Sequence, residues 1–326
     1  MIRLIGAEFH RWVVRRGLWV ALAGALAIIA TFCVTIVVAT QPPSAEAVAA
    51  GRAALVEEHA HWVEHREEYE ATCRDEVPAA EADQACVMEE PREEWFIPQP
   101  MDWAGATATA TLGGASVAGL VTLLMAASFW GAEIRSGSLT TWLTFVPSRP
   151  RVWAAKMVVV ALAGAAVAAV LLLLGLVVAW IAVSAHQGPD AVGGWVQPLQ
   201  VAGRGVLLGA MMALLGAGLA VIFRSTVAAV AVPLGYLFVQ GMMGVLYAIP
   251  GFERLTEFLP ENNVRAFLEG GYTYSVPIQR VTPQGLEYDY VEKTLSLAHG
   301  AVYLLVFMAL AAFVSAAAFQ RRDVTE

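Results

Sequence analysis

The chain has no G-x-x-x-x-G-K segment followed by Ser or Thr, so any nucleotide that drives it is not held here by that phosphate loop. Charge is scarce too. Only 15% of the 326 residues are Asp, Glu, Lys or Arg and 58% are hydrophobic, whereas soluble domains average about 25% charged. The long apolar runs have no nucleophile–base pairing and no paired carboxylates at catalytic spacing, so an intramembrane enzyme lacks identifiable catalytic residues. With no charge at their centres, these runs also leave the class of any transported substrate unconstrained. The three cysteines are Cys33 in an apolar run and Cys73 and Cys86 in a polar one.

What the chain has in quantity is apolar length. About 20 apolar residues cross a bilayer, and the runs over 18–40, 104–130, 157–184, 201–223, 225–249 and 295–319 qualify as TM1 to TM6. Arg11, Arg15 and Arg16 precede the first run as they would in a signal peptide. That run exceeds an h-region of about 7–15 residues, so it reads as a retained anchor. Spanning runs rich in Ala and Leu satisfy their backbone as helices. The fold class expected is therefore an all-α polytopic membrane protein with six transmembrane helices.

Orientation follows from Lys and Arg near the span ends. Of the 20 basic residues, one side receives 11 (Arg3, Arg11, Arg15, Arg16, Arg135, Arg149, Arg151, Lys156, Arg224, Arg321 and Arg322). Only four of the 28 acids, Glu8, Glu133, Asp323 and Glu326, share that side, which reads as the cytoplasm. Both termini are then cytoplasmic. The expected cytoplasmic parts are an interfacial helix over 1–17, a segment over 131–156 and a tail over 320–326. The outer parts are an acidic domain over 41–103, a short loop over 185–200 and a segment over 250–294.

The opening "MIRLIGAEFHRWVVRR" spaces Ile2, Ile5, Phe9 and Trp12 as one face of a basic amphipathic helix lying at the inner interface. Simple anchoring of the first span by Trp and Arg accounts for the same residues. In the second outer segment, Phe252, Leu255, Phe258 and Leu259 fit one helical face that ends at Pro260. Partial alternation around Pro283-Gln284-Gly285 gives a weak hairpin signal.

Cys73 and Cys86 fall on the outer side, where a disulfide between them is expected. His61 and His65, spaced i, i+4, are half a metal site with no further ligands fixed by spacing. A hydrated acidic helix accounts for them more simply, and no metal is expected. Gly205 and Gly209, Gly216 and Gly218, and Ala115 with Gly119 provide close-packing surfaces between helices. Tyr236 and Gln240 are polar groups inside the fifth span. They fit either a pathway or a bond to a neighbouring helix, and Pro233 beside them would kink that helix.

Between the second and third runs stands "EIRSGSLTTWLTFVPSRPRVWAAK", residues 133–156. Gly137 breaks the preceding helix, Ser138 is placed to cap a short new one, and Pro147 ends it. Leu139, Trp142, Leu143 and Phe145 would then need cover, from a partner protein or from the membrane surface.

This segment resembles the signature of permease subunits of type-2 ATP-binding-cassette (ABC) transporters. The matching positions are Glu133, Gly137, Ser138, Leu139, Pro147, Arg149 and Lys156. The resemblance extends to six spans, an N-terminal interfacial helix, an outer segment before the last span and the terminal "FQRRDV". It implies a bacterial plasma-membrane exporter subunit that binds no cofactor itself. A separate cytoplasmic ATPase would hold ATP and Mg, and a second permease copy, identical or not, would complete the transporter. Residues 133–156, with Trp142, would form the coupling helix seated on that ATPase. Helices two and five border the pathway in the family, which would place Tyr236 and Gln240 near it. Membrane lipids and these proteins are the partners expected, and nucleic acid is not. The long first outer loop departs from simpler members. It favours a competing reading, a non-transporting scaffold or signalling protein whose outer domain binds a ligand.

Overall fold

The computed structural model describes residues 2–77, 85–242, 251–282 and 285–321. The helices are α1 (Ile2–Val13), α2 (Arg16–Ala39), α3 (Ala45–Glu76), α4 (Glu93–Phe96), α5 (Trp103–Arg135), α6 (Ser138–Phe145), α7 (Arg149–Gln187), α8 (Val196–Phe223), α9 (Thr226–Gly241), α10 (Pro260–Glu269) and α11 (Leu297–Arg321). Five of these, α2, α5, α7, α8 and α11, are long and apolar enough to cross a membrane. The chain is thus a predominantly helical, multi-pass membrane protein. The expected span over 225–249 is described as α9 for 16 residues, with Pro233 inside the helix; residues 243–249 lie outside the described residues.

α5 forms the centre of the bundle: 61% of its most apolar stretch is buried, against 17% in both α2 and α11. α7 and α8 pack directly on it, and small residues set how closely. A Cβ on Gly216 of α8 would collide with the Leu123 carbonyl oxygen of α5. A Cβ on Gly209 would stand 2.5 Å from the Ala168 Cβ of α7. Thr122 Oγ1 donates to the Gly209 carbonyl at 2.9 Å, a bond between helices that also satisfies a buried hydroxyl. Near its start α5 passes through a π turn at Thr109–Gly113, where Thr111 Oγ1 donates to the Thr107 carbonyl at 2.7 Å.

At one end of the bundle, backbone and amide groups join three spans. Gln187 Nε2 at the end of α7 donates to the Thr40 carbonyl at 3.1 Å and to the Met101 carbonyl at 2.8 Å. Asp102 caps α5 by accepting from the Gly105 N–H at 2.8 Å. From this end rises α3, 32 residues long and capped by Ser44. The returning chain runs back along α3 through a series of contacts. A Cys73–Cys86 disulfide joins them far from the bundle, then His59 meets Glu90 at 3.1 Å and Arg52 meets Glu93 at 3.0 Å. Cys33 remains a free thiol in α2. The His61 and His65 rings stack at 4.3 Å between centroids. Among the described residues no three His, Cys, Asp or Glu side chains converge as metal ligands would.

The second insert differs from its expected form. Phe252, Leu255, Phe258 and Leu259 do not form one buried helical face. They lie in and beside two 3-10 turns, Phe252–Arg254 and Thr256–Phe258, with Leu255 and Phe258 exposed. Pro260 follows directly on the end of the second 3-10 turn and also opens the next helix. It occupies the first turn of α10, where its missing N–H costs nothing. The buried face of α10 includes Asn262 and Asn263, whose amides donate to the Thr256, Glu257 and Leu259 carbonyls at 2.7–2.9 Å. This holds the 3-10 turns against the helix. An antiparallel ribbon follows, β1 (Gly271–Thr282) and β2 (Gly285–Ser296), in register from Gly271↔Ser296 to Thr282↔Gly285. It gives the weak hairpin signal a structure, although Pro283 and Gln284 lie outside the described residues. Lys293 Nζ pins the ribbon to the 3-10 turns through the Glu253 carbonyl at 2.8 Å and Glu257 Oε1 at 2.9 Å.

Candidate functional site

At the opposite end of the bundle lie α1, the start of α2, the end of α5, the short helix α6, the start of α7 and the end of α11. Gly137, with φ of +69°, lets the chain turn out of α5 and is itself the N-cap of α6. Ser138 is not the cap, as expected from sequence, but the first residue of α6; its hydroxyl lies 3.5 Å from the Glu133 carbonyl. α6 ends at Phe145. The exposed Pro147 stands in the link to α7, which begins at Arg149.

Behind α6 four charges are packed together. Lys156 Nζ lies 2.5 Å from Glu133 Oε2 and 2.6 Å from Glu8 Oε2, and neither Lys156 nor Glu8 is exposed to solvent. Arg11 completes the group, 3.1 Å from Glu8 Oε1 and 3.1 Å from Glu133 Oε1. Two cations and two anions alternate, so no buried charge is left unanswered. That balance is what makes burial tolerable, because removing one partner from such a pair costs about 3–5 kcal/mol. The aromatic rings of Phe129 and Trp130 lie 4.9 and 5.4 Å from Lys156 Nζ and add cation–π contacts. The group ties α1, the end of α5 and the second turn of α7 into one unit. Lys156 lies inside α7, which starts seven residues earlier at Arg149.

Glu8 and Arg11 join this group although sequence pattern does not mark them as site residues. The inward face of α1 is formed by Ile5, Glu8 and Trp12; of the expected stripe Ile5 and Trp12 face inward, Phe9 is exposed, and the Ile2 side chain lies outside the described residues. The one signal in the sequence is that Glu8 is among very few acids near the basic residues at this end.

The expected hydrophobic patch on α6 is mostly covered. Leu139 is buried, Trp142 and Leu143 are half-buried against the core, and only Phe145, 77% exposed, projects freely. The Arg11 guanidinium sits 5.3 Å from the centre of the Trp142 ring, so α6 rests directly on the charge group. Trp142 Nε1 is buried with no hydrogen-bond partner among the described residues. The cover comes from the neighbouring helices, because α6 is held close by the tight turn at Gly137.

Beside α6 opens a cleft of about 310 Å³ lined by Arg11, Arg15, Glu133, Ser136 and Ser138 among others. Arg15 Nη1 donates to the Phe129 carbonyl at 2.8 Å, joining the start of α2 to the end of α5. Burial lowers the Arg15 pKa, and the Glu133 carboxylate opposes that shift. On the far side, Arg149 Nη1 donates to the Gln320 carbonyl at 3.2 Å and Trp153 Nε1 to Ser315 Oγ at 3.2 Å. These bonds join α7 to α11.

The structure therefore brings Glu133, Ser138, Leu139, Trp142 and Lys156 together around one junction. Pro147 and Arg149 lie on the link to α7 and on its first turn. Tyr236 and Gln240 lie elsewhere, on α9. Tyr236 Oη donates to the Glu261 carboxylate of α10, and Gln240 is half-buried.

No protein-family model matches the chain, and no curated protein matches it with significant similarity.

Proposed function

We propose that the protein is the permease subunit of a type-2 ABC exporter in a bacterial plasma membrane. In this reading the end bearing α6 is cytoplasmic and α6 is the coupling helix. A separate ATPase, which holds ATP and Mg, drives it. The chain crosses the membrane six times, with 225–249 as one crossing, and a second copy, identical or related, completes the pathway. It hydrolyses nothing itself. Sidedness rests on the basic residues collected at this end.

The observation that carries the reading is the position of α6 against the Glu8–Arg11–Glu133–Lys156 group. A force applied at the exposed Phe145 passes through Trp142 and Arg11 into α1, α5 and α7 together. These charges sit in a low-dielectric, hydrogen-bonded setting where their geometry is stiff, so α6 and three helix ends move as a unit. Rigid-body movement of helices about a fixed junction is one way to alternate access across a membrane. Purification of the chain from its own cells, with a search for a bound cytoplasmic ATPase, tests the proposal. The two should co-purify, and the chain should stimulate ATP turnover by the ATPase. An ATPase that neither binds the chain nor responds to it would count against the exporter.

One observation favours a second reading, a scaffold or signalling protein. The 32-residue α3 stands largely exposed, with a disulfide at its far end, and offers a large surface for an external ligand. The same co-purification separates the two readings.

A further inference from the structure

Beside the four-charge group stands a further cation with no counter-ion. Glu8 and Glu133 are both engaged by Arg11 and Lys156. Arg15, half-buried at the N-cap of α2, forms no salt bridge among the described residues. One of its N–H groups donates to the Phe129 carbonyl at 2.8 Å. A guanidinium carries five such donors, so most of this one remains available to an acceptor. A partly buried charge without a partner is costly, and an anion that reaches it lowers the cost.

Arg15 lines the cleft of about 310 Å³ beside α6. The other polar lining comes from Arg11, Glu133, Ser136 and Ser138, and Val14, Phe129 and Ala132 complete the walls. Glu133 does not cancel the positive character, because its Oε1 faces Arg11 and its Oε2 faces Lys156. The Ser136 and Ser138 hydroxyls lie 3.2 Å apart. Their contacts with the Glu133 carbonyl are long, 3.3 and 3.5 Å, so either hydroxyl can turn to a better acceptor. Arg16 and Arg135, each next in sequence to a lining residue, are exposed and add to the positive field. A guanidinium fork with hydroxyls beside it matches the oxygens of a phosphate group. The cleft is at the low end of ligand pockets, about 300–1,000 Å³, which suits a headgroup and not a whole lipid.

Depth decides where the phosphate comes from. The cleft lies where α2 begins and α5 ends, both long and apolar enough to span, so it stands at the level of the lipid headgroups. Its apolar edge is open: Val14 is exposed, as are Trp19 and Val20 in the first turns of α2, and Trp favours that interface. Acyl chains would run along these residues, which a soluble phosphate does not use. We propose that this cleft binds the phosphate of an anionic phospholipid, held by Arg15 with the Ser136 and Ser138 hydroxyls, and that the lipid braces the α1–α2 link against the end of α5. The proposal does not depend on the exporter reading. Binding is measured on the chain without an ATPase, so failure to bind lipid and failure to dock an ATPase are separate results.

The experiment follows thermal unfolding of the full-length chain in dodecyl maltoside micelles titrated with dioctanoyl phosphatidylglycerol. A saturable rise in the unfolding temperature is expected, with none from dioctanoyl phosphatidylcholine or from glycerol 1-phosphate over the same concentrations. Arg15→Gln should raise the half-saturating lipid concentration by roughly tenfold or more, as loss of a charge-assisted bond entails. Ser138→Ala, which keeps every charge, should raise it several-fold, and it decides the matter should Arg15→Gln fail to fold. Arg151→Gln removes an exposed charge at the same end of the bundle and should leave the titration unchanged. The proposal is overturned if no saturable rise occurs, if phosphatidylcholine protects equally, or if the folded lining variants titrate like the parent. It is also overturned if Arg151→Gln weakens binding as much as Arg15→Gln, which would mark diffuse attraction to the basic end. Equal protection by glycerol 1-phosphate would assign the cleft to a soluble phosphate and overturn the lipid.

Discussion

Lys156 and Glu133, 23 residues apart in sequence, meet at 2.5 Å in the bundle interior. This contact links the end of α5 to the second turn of α7 across the whole of α6. Glu8 approaches the same ammonium at 2.6 Å, so α1 is part of the junction and not only a strip of residues against lipid.

Removing one charge from the group should be costly, and removing two opposite charges less so. Lys156→Met is expected to destabilise by about 3–5 kcal/mol, because it leaves buried carboxylates uncompensated. The pair Lys156→Met/Glu133→Gln restores neutrality and should recover part of the loss. Thermal unfolding in detergent reads both. Additive losses would contradict the paired arrangement.

α6 offers two substitutions with opposite expectations. Phe145→Asp, on a freely exposed side chain, should leave thermal stability nearly unchanged while abolishing stimulation of the partner ATPase. Leu139→Asp buries a charge and should lower stability regardless of any partner. Normal ATP turnover with Phe145→Asp would remove α6 as the docking element.

Close approach of α8 to α5 depends on the absence of a side chain at Gly216. Gly216→Ala places a methyl against the Leu123 carbonyl and should cost about 1–3 kcal/mol through overpacking. Gly203→Ala in the same helix meets nothing within 4 Å and should be neutral or stabilising by about 0.5–1 kcal/mol, because alanine restricts the unfolded chain more. Thermal unfolding of the two variants gives the comparison.

Much of the bundle is legible in the sequence, because long apolar runs in lipid have few conformations open to them. The Cys73–Cys86 bridge is legible as well, since two cysteines close in a polar insert have few other fates. The charge group is harder. Glu133 and Lys156 stand out as positions, yet nothing in a linear sequence says that they touch, or that Glu8 reaches them from a different helix. An acid on an amphipathic helix reads as its solvent face, so the pattern turns Glu8 outward and Phe9 inward, the reverse of the structure. Proline misleads in a similar way: Pro260 stops one element and starts another, and only the packing of Asn262 and Asn263 decides which reading holds. The cover over Leu139 comes from tertiary packing after the turn at Gly137, which no local pattern records.

The disulfide should stabilise the α3 insert without supporting the bundle. Its loss in Cys73→Ser/Cys86→Ser is expected to cost the insert about 3 kcal/mol, on the chain-entropy account of a short loop. Hydrogen exchange of the amides in the last turns of α3 should accelerate, while those of α5 and α8 stay protected. Faster exchange throughout α5 would show that the insert braces the membrane helices.

The central claim is that α6 faces the cell interior, and accessibility in intact cells tests it most directly. Single cysteines are placed at the exposed Thr144 of α6 and Glu57 of α3 in a Cys33→Ala background and treated with a membrane-impermeant maleimide. The account predicts labelling at position 57 in intact cells and at position 144 only after the membrane is broken. Labelling at 144 with protection at 57 would place α6 outside, beyond reach of any cytoplasmic ATPase.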